Sequence, residues 1–381
     1  MRRLFFCVLL ATVSCLPSAV SAQSPWRWTD ISKKIGVRQN RPVWAVAEAR
    51  GYWFITDGLA FVKGGKVKRL NGSSGTDLTR SLRDVGLTRV DDIVSDGKTV
   101  LFLKNVTTRD ATFEVVSFNG KQFLNHTDRL RAWFDPDEGI ASISGNGGKW
   151  LFVTTKGKVR VFPNLDNLRS RPEATSGVEP AVPVSDLSED YRSDIGYSFR
   201  HTSPADNRAY LPVAAVPFGR GWLIAQRSVN TTFLVYNPLT GVEDVTEQIG
   251  KIERLQAIAS NGRSVLIAGT NRADGMTDRL RLLTPTGMED LSKSAAALPF
   301  SSWNRALIGW NGSSWMILSG KHLARFDGRK FQSLPKTKDY FLSLAGSSNG
   351  TFLLGGLVSS ASRDEVPVRL TAKLVSVKEA R

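Results

Sequence analysis

Acid–base chemistry in this chain would have to come from carboxylates, and two clusters have suitable spacing: Asp91-Asp92, and Asp135 with Asp137-Glu138. Neighbours on a strand point to opposite faces, so at most one of Asp91 and Asp92 can face a common site. No second element of a site accompanies either cluster, and both read as loop charges in water. The histidines, His126, His201 and His322, are too scattered for metal-ligand spacing, and each reads as a surface or hydrogen-bonded side chain. Cys7 and Cys15 are the only cysteines. Phosphate-binding glycine loops and dinucleotide fingerprints are absent. A hard cation held by carboxylates and carbonyls from distant segments would leave no local motif and stays open. No catalytic residue, metal ligand or cofactor is therefore assigned.

Ligand binding is better served. Trp133, Trp303 and Tyr340 fall in polar segments between apolar runs, with Asn304 and Arg305 beside Trp303. Arg200 lies near Tyr197 and Phe199 in a long stretch without clear periodicity. Aromatic rings mixed with Arg and Asn bind sugars or peptides by stacking and forked hydrogen bonds, so these six residues form the candidate ligand-binding set. Rings that merely cap a core are the competing reading.

The elements that must position them follow an address. Residues 1–22 place Arg2 and Arg3 before the apolar stretch Leu4 to Val13 and end in Val20-Ser21-Ala22, the pattern of a secretory signal cut after Ala22. A rival reading makes Cys15 a lipid-carrying first residue, although Thr12 stands where such a signal has a large aliphatic side chain. No later apolar run is long enough to span a bilayer. The expectation is a secreted, periplasmic or cell-envelope protein without a transmembrane segment, and with residues 23–381 forming one domain. Lys and Arg number 51 against 35 Asp and Glu, giving a net charge of +16, and they are dispersed rather than striped. An anionic polymer, a glycan or a protein is the expected partner; nucleic acid is not, since no recognition motif accompanies the export signal.

A repeat of about fifty residues organises the rest. A glycine turn precedes four mostly large apolar residues at Trp53–Thr56, Val100–Leu103, Trp150–Val153, Trp222–Ala225, Val265–Ala268, Trp315–Leu318 and Phe352–Gly355. Each run is strand-length and rich in aromatic or β-branched residues. Another short apolar stretch precedes each turn, and Asn-Gly or Asp-Gly pairs such as Asp96-Gly97 and Asn261-Gly262 supply the positive φ of a hairpin. A third strand and a more polar fourth complete each unit. The fourth carries Asp, an aliphatic residue, then Ser or Thr, as in Asp30-Ile31-Ser32, Asp77-Leu78-Thr79, Asp244-Val245-Thr246 and Asp290-Leu291-Ser292. A carboxylate two residues before a hydroxyl closes a local turn, so this signature reads as structural.

The first copy of the signature has no strands before it, and the last unit runs out one strand short. Pairing of Trp28 to Ile35 with the C-terminal unit would leave neither edge open. In these features the chain resembles the β-propeller superfamily, including blades of bacterial sensor propellers. The Trp-Asp pair of WD repeats is missing, and no double glycine sits where a kelch repeat has one. The resemblance implies an all-β fold, a seven-bladed propeller of four-stranded antiparallel blades, with long loops around residues 166–214. The leading functional reading is a non-catalytic binding scaffold recognising a carbohydrate, peptide or protein at its axial face. A glycan- or lactone-directed hydrolase or lyase at the channel mouth, or a structural part of an envelope assembly, are the alternatives.

Overall fold

The computed structural model describes residues 26–33, 43–57, 66–71, 74–105, 113–154, 158–165, 184–186, 213–227, 231–271, 277–300, 306–337, 341–359 and 370–379. These residues form seven four-stranded antiparallel sheets. In chain order, blades 1 to 6 span residues 43–77, 92–125, 140–186, 213–244, 254–290 and 307–334. Blade 7 takes three strands from the C-terminal end, Phe341–Ser347, Thr351–Ser359 and Leu370–Glu379, and its fourth from the N-terminal end, Trp26–Asp30.

That fourth strand closes the ring with a shift from the expected Trp28 to Ile35. It runs antiparallel to the C-terminal strand, Trp26 opposite Glu379 and Asp30 opposite Val375. The strand stops at Asp30 because its Oδ1 accepts the Ser32 backbone N–H at 3.0 Å and the Ser32 hydroxyl at 2.7 Å, turning the chain. Ile31 is then buried rather than paired.

The first strands of the seven blades touch one another in ring order, blade 7 returning to blade 1, and so wall a central axis. The core lies between the blades. Seven clusters of buried apolar residues each draw on two adjacent blades: Trp222 and Ile224 of blade 4 pack with Leu151 and Val159 of blade 3, and Trp315 of blade 6 with Leu266 and Leu282 of blade 5. Apolar residues on both faces of each second strand explain the unbroken runs in the sequence, because these strands have a neighbour on either side.

The Asp-aliphatic-hydroxyl signature is accounted for atom by atom. The carboxylate accepts the N–H of the hydroxyl residue, at 3.0 Å for Asp77 and Thr79, 2.8 Å for Asp244 and Thr246, and 2.9 Å for Asp290 and Ser292. The aliphatic residue is buried. The hydroxyl accepts an N–H from the third strand, that of Phe233 for Thr246 at 2.9 Å and that of Leu280 for Ser292 at 3.1 Å. Asn125-His126-Thr127 does the same work with an amide, Asn125 Oδ1 accepting the Thr127 N–H at 2.8 Å. His126 takes the aliphatic place, buried, its Nε2 2.8 Å from the Ser117 hydroxyl. A feature unmarked in the sequence follows four of these turns: short helices at Thr79–Asp84, Thr127–Arg131, Thr246–Ile249 and Ser292–Ala295. At four to six residues they are too short for a 3.6-residue periodicity to register.

Because strands alternate in direction, the turns between first and second strands and between third and fourth strands gather at one end of the ring, here called the hairpin face. The connections between blades gather at the other. On the hairpin face an Asx-Gly-x-x turn recurs at Asp96, Asn119, Asn261, Asn311 and Asp327. In each, the side-chain oxygen accepts the backbone N–H groups two and three residues on, as Asn261 does from Arg263 at 2.9 Å and Ser264 at 2.6 Å. Asparagine and aspartate thus order a four-residue turn here, beyond their tolerance of positive φ.

Candidate functional site

A cleft of about 510 Å³ opens on the hairpin face where the turns of blades 1, 2 and 3 meet. Its walls carry Arg50, Lys98 and Lys121, with Asn119, Asn164 and the edge of Trp150 between them. The one acidic group in the lining, Asp96, is engaged in its own turn, accepting the N–H of Lys98 at 2.8 Å and of Thr99 at 2.7 Å. Lys98 and Lys121 are exposed, and neither enters an ion pair among the described residues.

Arg50 is held in place. Its Nε donates to the Lys98 carbonyl at 2.7 Å, and its backbone N–H donates to the Gly97 carbonyl at 3.0 Å. It has φ of 52°, the only non-glycine at positive φ among the described residues. Left-handed backbone costs an ordinary residue about 1–2 kcal/mol, and such strain clusters at functional positions. The arrangement is a cationic cleft on hydrogen-bonded turns, suited to a carboxylate, sulfate or phosphate, with Asp96 the one carboxylate among its described lining residues.

No family model matches the chain, and no curated protein matches it. Solved structures do. The WD40 repeats of RRP9 share 13% identity over 93% of this chain and 99% of their own, with a TM-score of 0.55. YCF48, in a structure with D1 peptide bound, shares 11% identity over 94% of this chain and 96% of its own, with a TM-score of 0.53. The extracellular domain of the putative one-component system BT4673 from B. thetaiotaomicron gives 13% identity and a TM-score of 0.53, over 93% of this chain but 42% of that one. These likenesses agree with the seven closed blades. The chain is a seven-bladed β-propeller.

None of the six residues singled out by type is among the described residues that line this cleft. Trp303, Asn304, Arg305, Tyr340 and Arg200 lie outside the described residues, as do 166–183 and 187–212 of the long loops. Trp133 is described, and it packs: its indole meets Phe162 edge-on at 6.1 Å within the cluster between blades 2 and 3. Trp133 lies in the connection from blade 2 to blade 3, at the opposite end of the propeller from the cleft. Sequence reading missed the cleft because its cations come from three separate turns. The local trace was the lysine after an Asx-Gly pair, in Asp96-Gly97-Lys98 and Asn119-Gly120-Lys121.

The carboxylates are structural, though Glu138 is not the solvated loop charge expected. Its side chain is 0% exposed and its Oε2 accepts from Arg160 Nη2 at 2.9 Å and from the Asp135 N–H at 3.1 Å. Arg160 also lies over the Phe134 ring, 5.1 Å from its centroid. Asp135 pairs with Lys158 at 2.9 Å. Asp91 pairs with Arg89 at 2.7 Å.

Asp92 begins the first strand of blade 2 on the axial wall, where its side chain is crowded by neighbouring strands but still reached by solvent. Desolvation by the surrounding strands pushes its pKa up to about 6, against a smaller lowering by the Ile93 N–H that its Oδ1 accepts at 2.8 Å; Asp91 raises it further. The unfolded chain releases this proton near pH 3.8, whereas the folded chain keeps it to about pH 6. Ionisation of Asp92 therefore destabilises the fold as pH rises through that window, by a small amount because solvent reaches the carboxylate and screens its charge. The Asp92→Asn variant is expected to melt like the parent near pH 4 and above it by pH 7. A melting difference that does not grow across the window would contradict this.

Proposed function

We propose that this propeller is an exported, non-catalytic binding scaffold that docks an anionic macromolecule on its hairpin face. The observation that carries the reading is the cleft between blades 1, 2 and 3, where Arg50, Lys98 and Lys121 converge on turns fixed by hydrogen bonds. Arg50, whose guanidinium is already held on the Lys98 carbonyl, loses little freedom on binding an anion, and the two lysines add charge beside it. Export is supported by the charged, apolar and small-residue order of residues 1–22. No helix among the described residues is long and apolar enough to cross a membrane. A binding role is in keeping with a fold that holds a peptide in YCF48. The enzyme alternative calls for paired carboxylates at the channel mouth. Among the described first strands the acidic residues are Glu48 and Asp92, one near the turn end of its strand and the other at the start.

The test is retention of the mature chain on immobilised dextran sulfate, polylysine and unmodified dextran. Retention on dextran sulfate alone is expected, with weaker retention of Lys98→Gln/Lys121→Gln and no shortening of the polymer. Equal retention of parent and variant, or depolymerisation, would overturn the proposal.

A further inference from the structure

Beyond the cleft, the first turn of each successive blade continues the same chemistry. Arg50, Lys98, Lys149, Arg220 and Arg263 stand at the first–second strand turns of blades 1, 2, 3, 4 and 5, and every one is exposed. Lys98, Lys149, Arg220 and Arg263 enter no ion pair or side-chain hydrogen bond among the described residues. The turns that carry them are tied edge to edge. The Arg50 N–H donates to the Gly97 carbonyl at 3.0 Å, Asn146 Nδ2 to the Gly221 carbonyl at 2.8 Å, and the Gly219 N–H to the Gly262 carbonyl at 2.8 Å. Blades 2 and 3 meet with Gly145 against Asp96, so closely that a methyl on Gly145 would lie 2.6 Å from the Asp96 Cβ.

The turns do not need these charges. Blade 6 builds the same Asx-Gly-x-x turn as Asn311-Gly312-Ser313-Ser314, with serine where blades 2 and 5 have Lys98 and Arg263. Blade 7 turns through Asn349-Gly350, likewise without a cation. Along the first turns the charge is therefore an arc over five blades and not a by-product of turn formation, while the outer turn of blade 6 adds exposed Arg329 and Lys330 on the same face.

We infer that this arc is a track for a linear acidic polysaccharide whose repeated carboxylate or sulfate groups are taken up blade by blade, with the cleft as its widest station. The inference rests on the binding reading above and names its ligand class. An acidic polypeptide is the less suitable occupant. Protein partners are anchored by apolar and aromatic side chains at the centre of an interface. Among the described residues the exposed large apolar side chains are Leu239, in the outer turn of blade 4, and Val242, in the strand after it, and neither stands at the first turns that carry the arc. The arc itself offers spaced cations on polar turns, which match the repeated carboxylates or sulfates of such a polysaccharide.

The probe is polygalacturonate of graded length, measured against poly-L-glutamate by titration between about 50 and 200 mM salt. Affinity for polygalacturonate is expected to rise with length beyond a few sugars and to fall as salt increases. Lys98→Gln/Lys149→Gln/Arg263→Gln is expected to lose roughly tenfold or more in affinity and to flatten the salt dependence. The comparison variant Arg80→Gln/Arg83→Gln/Arg129→Gln removes three exposed charges from the opposite end and is expected to lose less than about threefold. Tighter binding of poly-L-glutamate through the same turn cations would overturn the polysaccharide assignment while leaving the binding face in place. Equal losses in the two variants, or affinity independent of length, would overturn the track. Absence of binding to either polyanion would remove the binding-face reading as well.

Discussion

A chain lacking residues 23–33 is expected to melt about 10 °C or more below the parent and to be cut rapidly by protease within blade 7. The segment supplies the fourth strand of that blade, paired over five residues with Leu370–Glu379. It also supplies Trp26, which is 4% exposed, packs on Phe352 with ring centroids 6.5 Å apart, and lies beneath the Arg325 guanidinium of blade 6. Loss of a buried tryptophan alone costs about 3–5 kcal/mol. The truncation adds an unpaired edge along the C-terminal strand and uncovers the cluster between blades 6 and 7. A synthetic peptide of residues 23–33 is expected to restore part of the lost stability in trans, a result that general damage to the fold would not give. A truncated protein that melts like its parent would mean that Trp26–Asp30 is dispensable.

Replacing Glu138 by alanine is expected to destabilise by about 3–5 kcal/mol, because Arg160 would keep its charge in a site that is 8% exposed with no partner of opposite sign. The cost would come less from the lost attraction than from the stranded guanidinium. The double variant Glu138→Leu/Arg160→Met is therefore expected to recover most of the loss, since an apolar pair of similar volume sits well against Phe134 and Phe162. Chemical denaturation of the single and double variants decides it. A double variant no more stable than Glu138→Ala would mean that the pair is needed for packing geometry rather than neutralisation.

These two features differ in how far the sequence announced them. The ring closure was readable because it is a counting problem: a fourth-strand signature without its first three strands at one end, and three strands without a fourth at the other. Repetition made each blade evidence for the next. The ion pair was not readable, because Glu138 and Arg160 are 22 residues apart and come from different elements. Arg160 occupies an inward position in Lys158-Val159-Arg160-Val161-Phe162, where alternation alone cannot say whether a charge meets water or a carboxylate. The cleft was hidden for a related reason. Lys98 and Lys121 each look like ordinary turn residues, and only the antiparallel order of the strands brings their turns to one end beside Arg50. Chemistry assembled from one residue per repeat leaves almost no mark on any single repeat.

The shared blade also fixes an order of events. The strand Trp26–Asp30 is the first of the described strands to leave a ribosome, and its partner Leu370–Glu379 is the last. Blades 1 to 6 can form as their own residues emerge, but blade 7 has to wait for the whole chain. Joining ends so far apart costs little more entropy than a loop half as long, since that cost grows only with the logarithm of length. The constraint is one of timing. Until the C-terminal strand arrives, the newest blade presents a bare strand edge at one side of an open arc and the N-terminal segment waits at the other. That interval, rather than any step in the individual blades, is when this chain is most exposed to pairing with a neighbour.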